Sequence, residues 1–316
     1  MRKVYSHTKR STLDRCVRQY FYEYYAAGYD PPPATPQRSL FEESPSLVHS
    51  RLEAGDSSAA AACKALSSAF QSAGQVLHSV IAQHWQHRDW QPEWFERTAA
   101  QRFDQIISAS RVRDDERDAS VPRLMEHYYQ LSDAEETISA AREKLGIAVA
   151  NYFRTPEISS LVRELWAGDE AQAEDSVSGL PKIGEFTIGG RIDGWCRKDQ
   201  GIRIVDWKMG GSVGDQESLQ LVLYGWWATE RFHVSAPQVS VQRVFLGDGV
   251  AEPPLVISER LINRCRARLH QDVRRMEELH EYGVQGCFDA FPPCHKEKVC
   301  HQCRYQGMCA AVAEST

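Results

Sequence analysis

The sequence lacks the features of a membrane protein, a secreted protein and a molecular motor. No apolar stretch approaches the ~18–20 residues of a membrane span, and no signal-peptide pattern opens the chain. The pattern G-x-x-x-x-G-K-[ST] does not occur, so the sequence has no P-loop helicase motor. Positive charge is not in excess either: the formal net charge is −6, which provides no global basic field. We expect a cytoplasmic protein with no membrane partner.

The composition is otherwise that of an ordinary globular protein, with 316 residues of which 42% are hydrophobic and 25% charged. This length allows one large domain or two small ones, each able to bury a core. The chain has nine cysteines. In a cytoplasmic chain this number favours metal binding over disulfides.

The clearest pattern lies between residues 189 and 224. Two apolar-rich runs are separated by the polar turn formers Lys198–Gly201, which predicts an antiparallel hairpin. A Gly-rich loop and a helix are expected to follow it. This helix carries Gln220 and Tyr224, which are four residues apart and so lie on one helical face.

The predicted hairpin brings two carboxylates and a lysine to one face. With the turn centred on its middle two residues, Asp193 lies opposite Asp206, and opposed side chains are about 5 Å apart. Lys208 follows Asp206 by two residues and projects from the same face. Paired carboxylates in an apolar hairpin favour a bound cation, and hard oxygen ligands suit Mg²⁺ or Mn²⁺. The plainer interpretation is an exposed hairpin with a Lys–Asp salt bridge.

These residues carry a resemblance to a known family. The run G-x-x-D, then D-W-K, then Q-x-x-x-Y resembles the PD-(D/E)xK nucleases, and specifically their RecB-like branch. The resemblance implies an α/β fold with a restriction-endonuclease-like mixed sheet core flanked by helices. It further implies that Asp193 and Asp206 are metal ligands and that Lys208 is the catalytic lysine. Gln220 and Tyr224 would contact the active site or the nucleic acid.

Two further residues are candidates for the same site. His78 lies beside a helical row of small residues that includes Gly74 and Ala82, although a lone helical histidine is more often structural. The resemblance implies a metal ligand, because RecB-like nucleases carry a histidine in a G-x-x-x-H setting. Imidazole favours Mn²⁺ slightly over Mg²⁺. Glu174 is expected just before the first strand of the sheet, near the metal, with an exposed edge carboxylate as the alternative.

A second metal site is predicted from cysteine spacing at the C-terminal end. Cys300, Cys303 and Cys309 form C-x2-C-x5-C. Thiolates suit zinc or an iron–sulfur cluster, and either Cys294 or Cys16 could complete the set. The S-x-L-x-x-C around Cys16 resembles AddB-type subunits and CRISPR-adaptation nucleases, which implies a 4Fe–4S cluster. Such a cluster would clasp the two chain ends together, whereas the local set would suit zinc.

The remaining sequence predicts mostly helices. A capping box at Ser11–Asp14 predicts a helix that continues through Cys16, and Asp30–Ser58 is expected to be a Pro-rich connector. A second helix is expected from Ala59 to about Arg88, with a core stripe of Leu66, Phe70, Ala73, Leu77, Ile81 and Trp85. The charge run Arg111–Asp118 lies in the predicted helical insertion and favours an exposed face or loop.

A long helix is also predicted near the C-terminal end. It runs from about Ser258 to Tyr282. Its arginines would line a groove that binds phosphates, or would lie on an exposed helix face with many charges. These arginines are Arg264, Arg266, Arg268, Arg274 and Arg275.

We divide the chain into an N-terminal helix with connector (1–58), a helical region (59–168), a nuclease core (169–256) and a C-terminal helix with the cluster-binding segment (257–316).

The combined expectation is a metal-dependent deoxyribonuclease, an exonuclease or end-processing enzyme that acts on single-stranded or frayed DNA. Repair, recombination and anti-phage or CRISPR processes are the settings that the resemblance implies, with a helicase or other defence or repair subunit as a partner. Two alternatives belong to other classes. One is a non-catalytic DNA-binding scaffold of a larger nuclease–helicase or defence complex. The other is a zinc-ribbon interaction protein with an incidental acidic hairpin.

Overall fold

The computed structural model describes residues 3–26, 54–89, 91–112, 121–210 and 218–309. The chain divides into two compact units. Unit 1 comprises Met1–His7 and Ser68–Gln271, and unit 2 comprises Thr8–Ser67 and Asp272–Thr316. The Gly-rich segment 211–217, most of the charge run Arg111–Asp118 and most of the predicted connector lie outside the described residues.

The described residues form both helices and strands. In order they are β1 (Val4–Tyr5), α1 (His7–Arg15), α2 (Val17–Tyr24), α3 (Ala54–Lys64), β2 (Leu66–Ser67), α4 (Ala69–Gln86), α5 (Pro92–Arg111), β3 (Arg123–Leu124), α6 (Met125–Tyr128), α7 (Ala134–Arg154), α8 (Pro156–Trp166), β4 (Glu170–Val177), β5 (Thr187–Ile188), β6 (Gly190–Lys198), β7 (Gly201–Lys208), α9 (Leu219–Phe232), β8 (Val239–Phe245), β9 (Val250–Ala251), β10 (Leu255–Val256), α10 (Glu259–Val284) and α11 (Glu297–His301).

The centre of unit 1 is a mixed sheet, which confirms the predicted α/β class. Its strand order is β10-β8-β7-β6-β4, and β9 pairs with β8. The pairs β4–β6 and β6–β7 are antiparallel, whereas β7 and β8 run parallel. A parallel neighbour requires a crossover connection, and α9 provides it between β7 and β8. This mixed sheet flanked by helices is compatible with a PD-(D/E)xK fold.

The β6–β7 hairpin has the predicted register. Gly194 pairs with Val205 and Lys198 pairs with Gly201, so the turn is centred between Asp199 and Gln200. Asp199 has a positive φ of 55°, a conformation that Asp tolerates in tight turns. One step beyond the last paired residues, this register sets Asp193 opposite Asp206.

One face of the sheet packs against a helical layer formed by α4, α5, α7 and α8. Val205 and Trp207 are buried there, and the Trp207 ring meets Tyr152 of α7 at 5.6 Å between centroids. Trp207 and Asp206 therefore project to opposite faces, as strand alternation requires. On the other face Trp195 of β6 contacts Phe232, the last residue of α9, at 4.6 Å between ring centroids.

The prediction of a single helix from Ala59 to Arg88 is wrong, because this stretch forms two helices, α3 and α4. The chain leaves the helical conformation between α3 and α4, where Leu66 and Ser67 are extended. Ser68 then starts α4, and its hydroxyl accepts a hydrogen bond from the Gln71 amide at 3.2 Å. Because α4 begins at Ala69, Phe70 falls in its first turn and is 40% exposed, although the other members of the predicted core stripe are buried.

In unit 2 the predicted N-terminal helix is broken at Cys16. Helix α1 begins at His7, so the expected capping box at Ser11–Asp14 lies inside a helix; the Thr12 hydroxyl donates to the Thr8 carbonyl at 3.0 Å. Cys16 is extended and starts α2, where its sulfur accepts a hydrogen bond from the Gln19 amide at 3.5 Å. The break makes Cys16 a helix-capping residue rather than a residue inside the helix.

Aromatic contacts hold the C-terminal segment of unit 2 against α2. The ring of Tyr22 stacks on Tyr305 at 5.2 Å between centroids, and its hydroxyl donates to the Met308 carbonyl at 3.2 Å. Tyr305 in turn donates to the Glu23 carboxylate at 2.8 Å. These contacts keep the cysteine-bearing stretch after residue 293 beside α2.

Candidate metal-dependent active site

Three carboxylates stand in a row across strands β4, β6 and β7. Asp193 and Asp206 are the neighbours of Gly194 and Val205, the last paired residues of the β6–β7 hairpin. Glu174 and Asp193 lie between the pairs Ala173–Gly194 and Asp175–Ile192 of β4 and β6. The sequence predicted Glu174 just before the first strand of the sheet. This prediction is wrong, because Glu174 lies within β4. The Glu174 backbone has a positive φ of 57° at the point where the β4–β6 ladder skips one residue pair. Such conformations cost about 1–3 kcal/mol and cluster at functional sites.

His78 of α4 completes a compact set of possible metal ligands with two of these acids. Its Nδ1 lies 3.2 Å from Asp193 Oδ1 and 3.9 Å from Glu174 Oε1. One ligand atom from each of the three residues lies within 4.8 Å of the others. The structure therefore brings together His78, Glu174 and Asp193, which come from one helix and two strands.

Lys208 lies beside Asp206 at the end of β7. The Lys208 Nζ donates to Asp206 Oδ1 at 3.0 Å and lies 2.9 Å from Asp206 Oδ2. It also donates to Gln220 Oε1 at 3.4 Å. The Asp206 side chain is 1% exposed and that of Lys208 34% exposed, so the ammonium reaches solvent whereas the carboxylate does not.

The predicted pair on α9 joins this arrangement through hydrogen bonds. Gln220 Nε2 donates to the Tyr224 hydroxyl at 2.8 Å, and that hydroxyl donates to the Arg191 carbonyl at 2.6 Å. A continuous chain of hydrogen bonds thus links β6, α9 and β7. It holds the Gln220 amide with its oxygen toward Lys208.

The charges of this site shift the pKa values of its members. Burial raises the pKa of Asp206 to about 6, although Lys208 opposes this rise. Burial and the neighbouring Asp193 also raise the pKa of Glu174. For His78 burial lowers the pKa, but Asp193 and Glu174 outweigh burial and the net pKa is raised. Burial is the largest cause for the two carboxyls, but the negative charge of Asp193 raises all three pKa values, and a cation would relieve the repulsion between the carboxylates.

The donor set fits a divalent metal ion. Asp206 Oδ2 is buried and accepts no hydrogen bond from any described residue, although Lys208 is close to it. Asp193 Oδ2 is already engaged by the Trp207 amide at 2.7 Å, which fixes its carboxylate and leaves Oδ1 toward His78. Carboxylate oxygens with one imidazole nitrogen suit Mg²⁺ or Mn²⁺, and the imidazole favours Mn²⁺.

A family model described as the PD-(D/E)XK nuclease superfamily matches residues 4–310 of the sequence. The chain belongs to this superfamily. PD-(D/E)XK proteins are nucleases, that is, phosphodiester hydrolases, and they use divalent metals, so the coarse identification made from the hairpin motifs is confirmed. No curated protein sequence matches the chain.

Two residues of this PD-(D/E)XK site were missed in the sequence. Arg191 donates to Glu174 Oε2 at 3.2 Å, and it precedes Asp193 by two residues, so strand alternation could have identified it. Gly194 packs against the ring of Trp85, where an added Cβ would lie 2.8 Å from the nearest ring carbon. No sequence pattern signals this close approach of α4 to β6.

The cysteines of the PD-(D/E)XK chain include a cluster in unit 2. All nine are thiols, and five of them line one small cavity: Cys16, Cys294, Cys300, Cys303 and Cys309. Burial raises the pKa of Cys303 to about 12 and also raises that of Cys16. Sulfur donors at this density fit zinc or an iron–sulfur cluster, and both candidates for the fourth ligand are present.

Arginines of the long helix α10 form ion pairs within each of the two units. Arg266 contacts Glu230 at 3.3 Å and its guanidinium lies 4.6 Å from the centroid of the Trp226 ring. Arg275 contacts Asp14 at 2.9 Å within unit 2.

Among the described helices, none is long and apolar enough to span a bilayer.

Proposed function

We propose that the protein is a metal-dependent deoxyribonuclease of the RecB-like branch, with an exonuclease or end-processing activity on single-stranded or frayed DNA. The observation that carries the proposal is the convergence of His78, Glu174 and Asp193 next to the Asp206–Lys208 pair. A structural ion pair needs neither the second and third carboxylates nor the imidazole. The intact set also argues against a non-catalytic scaffold.

His78, Glu174, Asp193 and Asp206 would hold one or more Mg²⁺ or Mn²⁺ ions. When bound, the metal would polarise the scissile phosphate and lower the pKa of the attacking water. Asp193 is held for this task by the Trp207 amide, and Asp206 is held by Lys208. Burial of Asp206 keeps competing water away from its oxygens.

Lys208 would act on the water or on the developing negative charge. An ammonium group has three protons, and the Lys208 contacts with Asp206 and Gln220 use two of them. The third is available to orient the attacking water or to donate to a phosphate oxygen. In this proposal Gln220 and Tyr224 are positioning residues, because their hydrogen bonds direct the Gln220 oxygen toward the lysine.

We further propose that unit 2 binds a 4Fe–4S cluster through Cys16, Cys300, Cys303 and Cys309. The shared cavity supports this assignment, because Cys16, at the break before α2, lines it together with the three C-terminal cysteines. Cys294 would then be a neighbouring thiol without a bond to iron. The cluster would stabilise unit 2, since metal binding contributes folding free energy.

The cellular setting that we propose is the cytoplasm, in repair, recombination or defence against foreign DNA. A helicase or other repair subunit would supply the motor, because the sequence has no P-loop of its own. Such a partner would also separate strands and deliver the frayed or single-stranded ends on which the nuclease acts.

The test uses end-labelled single- and double-stranded DNA with anaerobically purified protein and either Mg²⁺ or Mn²⁺. Asp206→Ala and Lys208→Ala should each abolish cleavage and leave DNA binding largely intact. Lys198→Ala, an exposed lysine on the same hairpin, is the matched control and should cut like the wild type. Undiminished cleavage by both active-site variants would refute the assignment of the site.

A further inference from the structure

A polar, almost uncharged face of α4 extends from the proposed metal site along an open cleft. The cleft has a volume of about 920 Å³. Apart from the metal-site residues and Arg191, it is lined by small and amide side chains of α4: Gln71, Gly74, Gln75, Ser79, Ala82, Gln83 and Gln86. From the first to the last of these residues the helix rises about 22 Å at 1.5 Å per residue.

The glutamines of this face lie on both sides of His78. Gln83 is fixed from behind by Arg102, which donates to its Oε1 at 2.7 Å. The side chains of Gln75 and Gln86, in contrast, have no hydrogen-bond partner among the described residues, and both residues are exposed. Along the helix Gln75 precedes the imidazole by about 4.5 Å and Gln86 follows it by about 12 Å.

Positive charge is scarce in this cleft. Of the described residues that line the cleft, Arg191 is the one cationic side chain apart from the histidine, and it is paired with Glu174 at 3.2 Å. The Arg102 guanidinium beside the cleft is likewise engaged, since it donates to Ser79 and Gln83 at 2.7 Å each. The cleft therefore has little with which to neutralise phosphates. An amide both donates and accepts hydrogen bonds, so glutamines bind base edges and sugars without depending on charge.

We propose that this face of α4 is the track of the DNA strand that is cut, and that Gln75 and Gln86 hold the strand by hydrogen bonds rather than by charge. The proposal rests on the proposed nuclease function and adds the path of the substrate to it. At about 3.4 Å per stacked nucleotide, the track accommodates roughly six nucleotides. Gly74 leaves room beside the imidazole, since an added Cβ there would meet no atom within 4 Å.

The experiment measures binding of a 5′-fluorescein-labelled oligothymidylate by anisotropy in a metal chelator, over a series of salt concentrations. The variants are Gln75→Ala, Gln86→Ala and the double variant. Gln105→Ala, on an exposed position of α5, is the matched control. Each single substitution at the track should raise Kd by about three- to tenfold, the value of one hydrogen bond.

The salt series separates this role from a charge contact. Loss of a phosphate-binding cation reduces the slope of log Kd against log salt concentration, by about 0.7 for a single strand. The glutamine variants should instead raise Kd by the same factor at every salt concentration. In cleavage assays with Mn²⁺ the same factor should appear in KM, with kcat unchanged.

The outcomes distinguish the track from the nuclease function. If the wild type cuts DNA but the double variant binds DNA like the wild type, the proposed strand path is refuted and the proposed nuclease function is retained. If the wild type binds DNA without cutting it and the variants bind less tightly, the proposed nuclease function is refuted and the proposed strand path is retained. A loss of affinity that disappears at high salt, or that Gln105→Ala shares, also overturns the track.

Discussion

Replacing Asp206 by asparagine tests whether this carboxylate is built to receive a cation. Burial raises its pKa from the ordinary 3.8 to about 6, even though Lys208 opposes the rise. The side chain is 1% exposed, so solvent does not screen it. Ionised Asp206 is therefore unfavourable in the metal-free folded protein, whereas in a structural salt bridge the pKa would be lowered.

The sign of the pH dependence follows from this rise. Below about pH 4 the carboxyl is protonated in both states, and its contribution to stability is fully present. As the pH rises, the carboxyl ionises first in the unfolded state and, near pH 6, in the folded protein as well. Its contribution to stability is then lost. The rise from 3.8 to about 6 corresponds to about 3 kcal/mol. Asp206→Asn stays neutral, so it should gain about 3 kcal/mol over the wild type between these limits.

The assay is urea unfolding in a chelator, followed by tryptophan fluorescence at several pH values. Asp199→Asn, which removes an exposed carboxyl from the hairpin turn, is the control for a carboxyl-to-amide change outside the site. Added Mn²⁺ should stabilise the wild type and not Asp206→Asn. If Asp206→Asn instead becomes less stable relative to the wild type as the pH rises, the pair with Lys208 is structural and our reasoning fails.

Three further predictions concern single side chains. His78→Ala should raise the Mn²⁺ concentration needed for half-maximal cleavage by about ten- to a hundredfold, measured by metal titration, since an imidazole ligand is lost; an unchanged curve would make His78 structural. Tyr224→Phe should lower kcat by several-fold with little change in KM, because Gln220 loses its hydrogen-bond acceptor; a rise in KM as large as the fall in kcat would contradict the positioning role. Cys16→Ser should give colourless, poorly soluble protein, whereas Cys294→Ser should keep its iron, as measured by iron and sulfide analysis and visible absorbance; the reverse pattern would favour a local zinc site.

The hairpin could be predicted from sequence because its information is local. Strand alternation and a short polar turn determine which side chains face each other, and the β6–β7 register follows from these alone. The same holds for α9, which was expected after the hairpin with Gln220 and Tyr224 on one face, where the two side chains share a hydrogen bond. The proximity of His78 to Asp193 followed from the family resemblance, not from periodicity, because it depends on how a distant helix packs on the sheet.

The helices near Cys16 and Phe70 were predicted incorrectly because helical periodicity continued across the breaks. At both sites a capping side chain ends the pattern, the sulfur of Cys16 in one and the hydroxyl of Ser68 in the other. A sulfur is a weak acceptor and is not an expected cap from sequence. The strand position of Glu174 was missed for a different reason, since its left-handed backbone conformation depends on its neighbours in the folded sheet.

The contact of Gly194 with Trp85 ties the geometry of the proposed metal site to the folded core. Trp85 lies two turns after His78 on α4, and its ring rests on the glycine that follows Asp193. The distance between imidazole and carboxylate is therefore set by packed core residues rather than by a loop. Folding of the core, not arrival of the ion, then provides the free energy that brings the mutually repelling carboxylates together. A site preorganised in this way loses little conformational entropy when metal binds, and so retains more of the intrinsic affinity of its ligands.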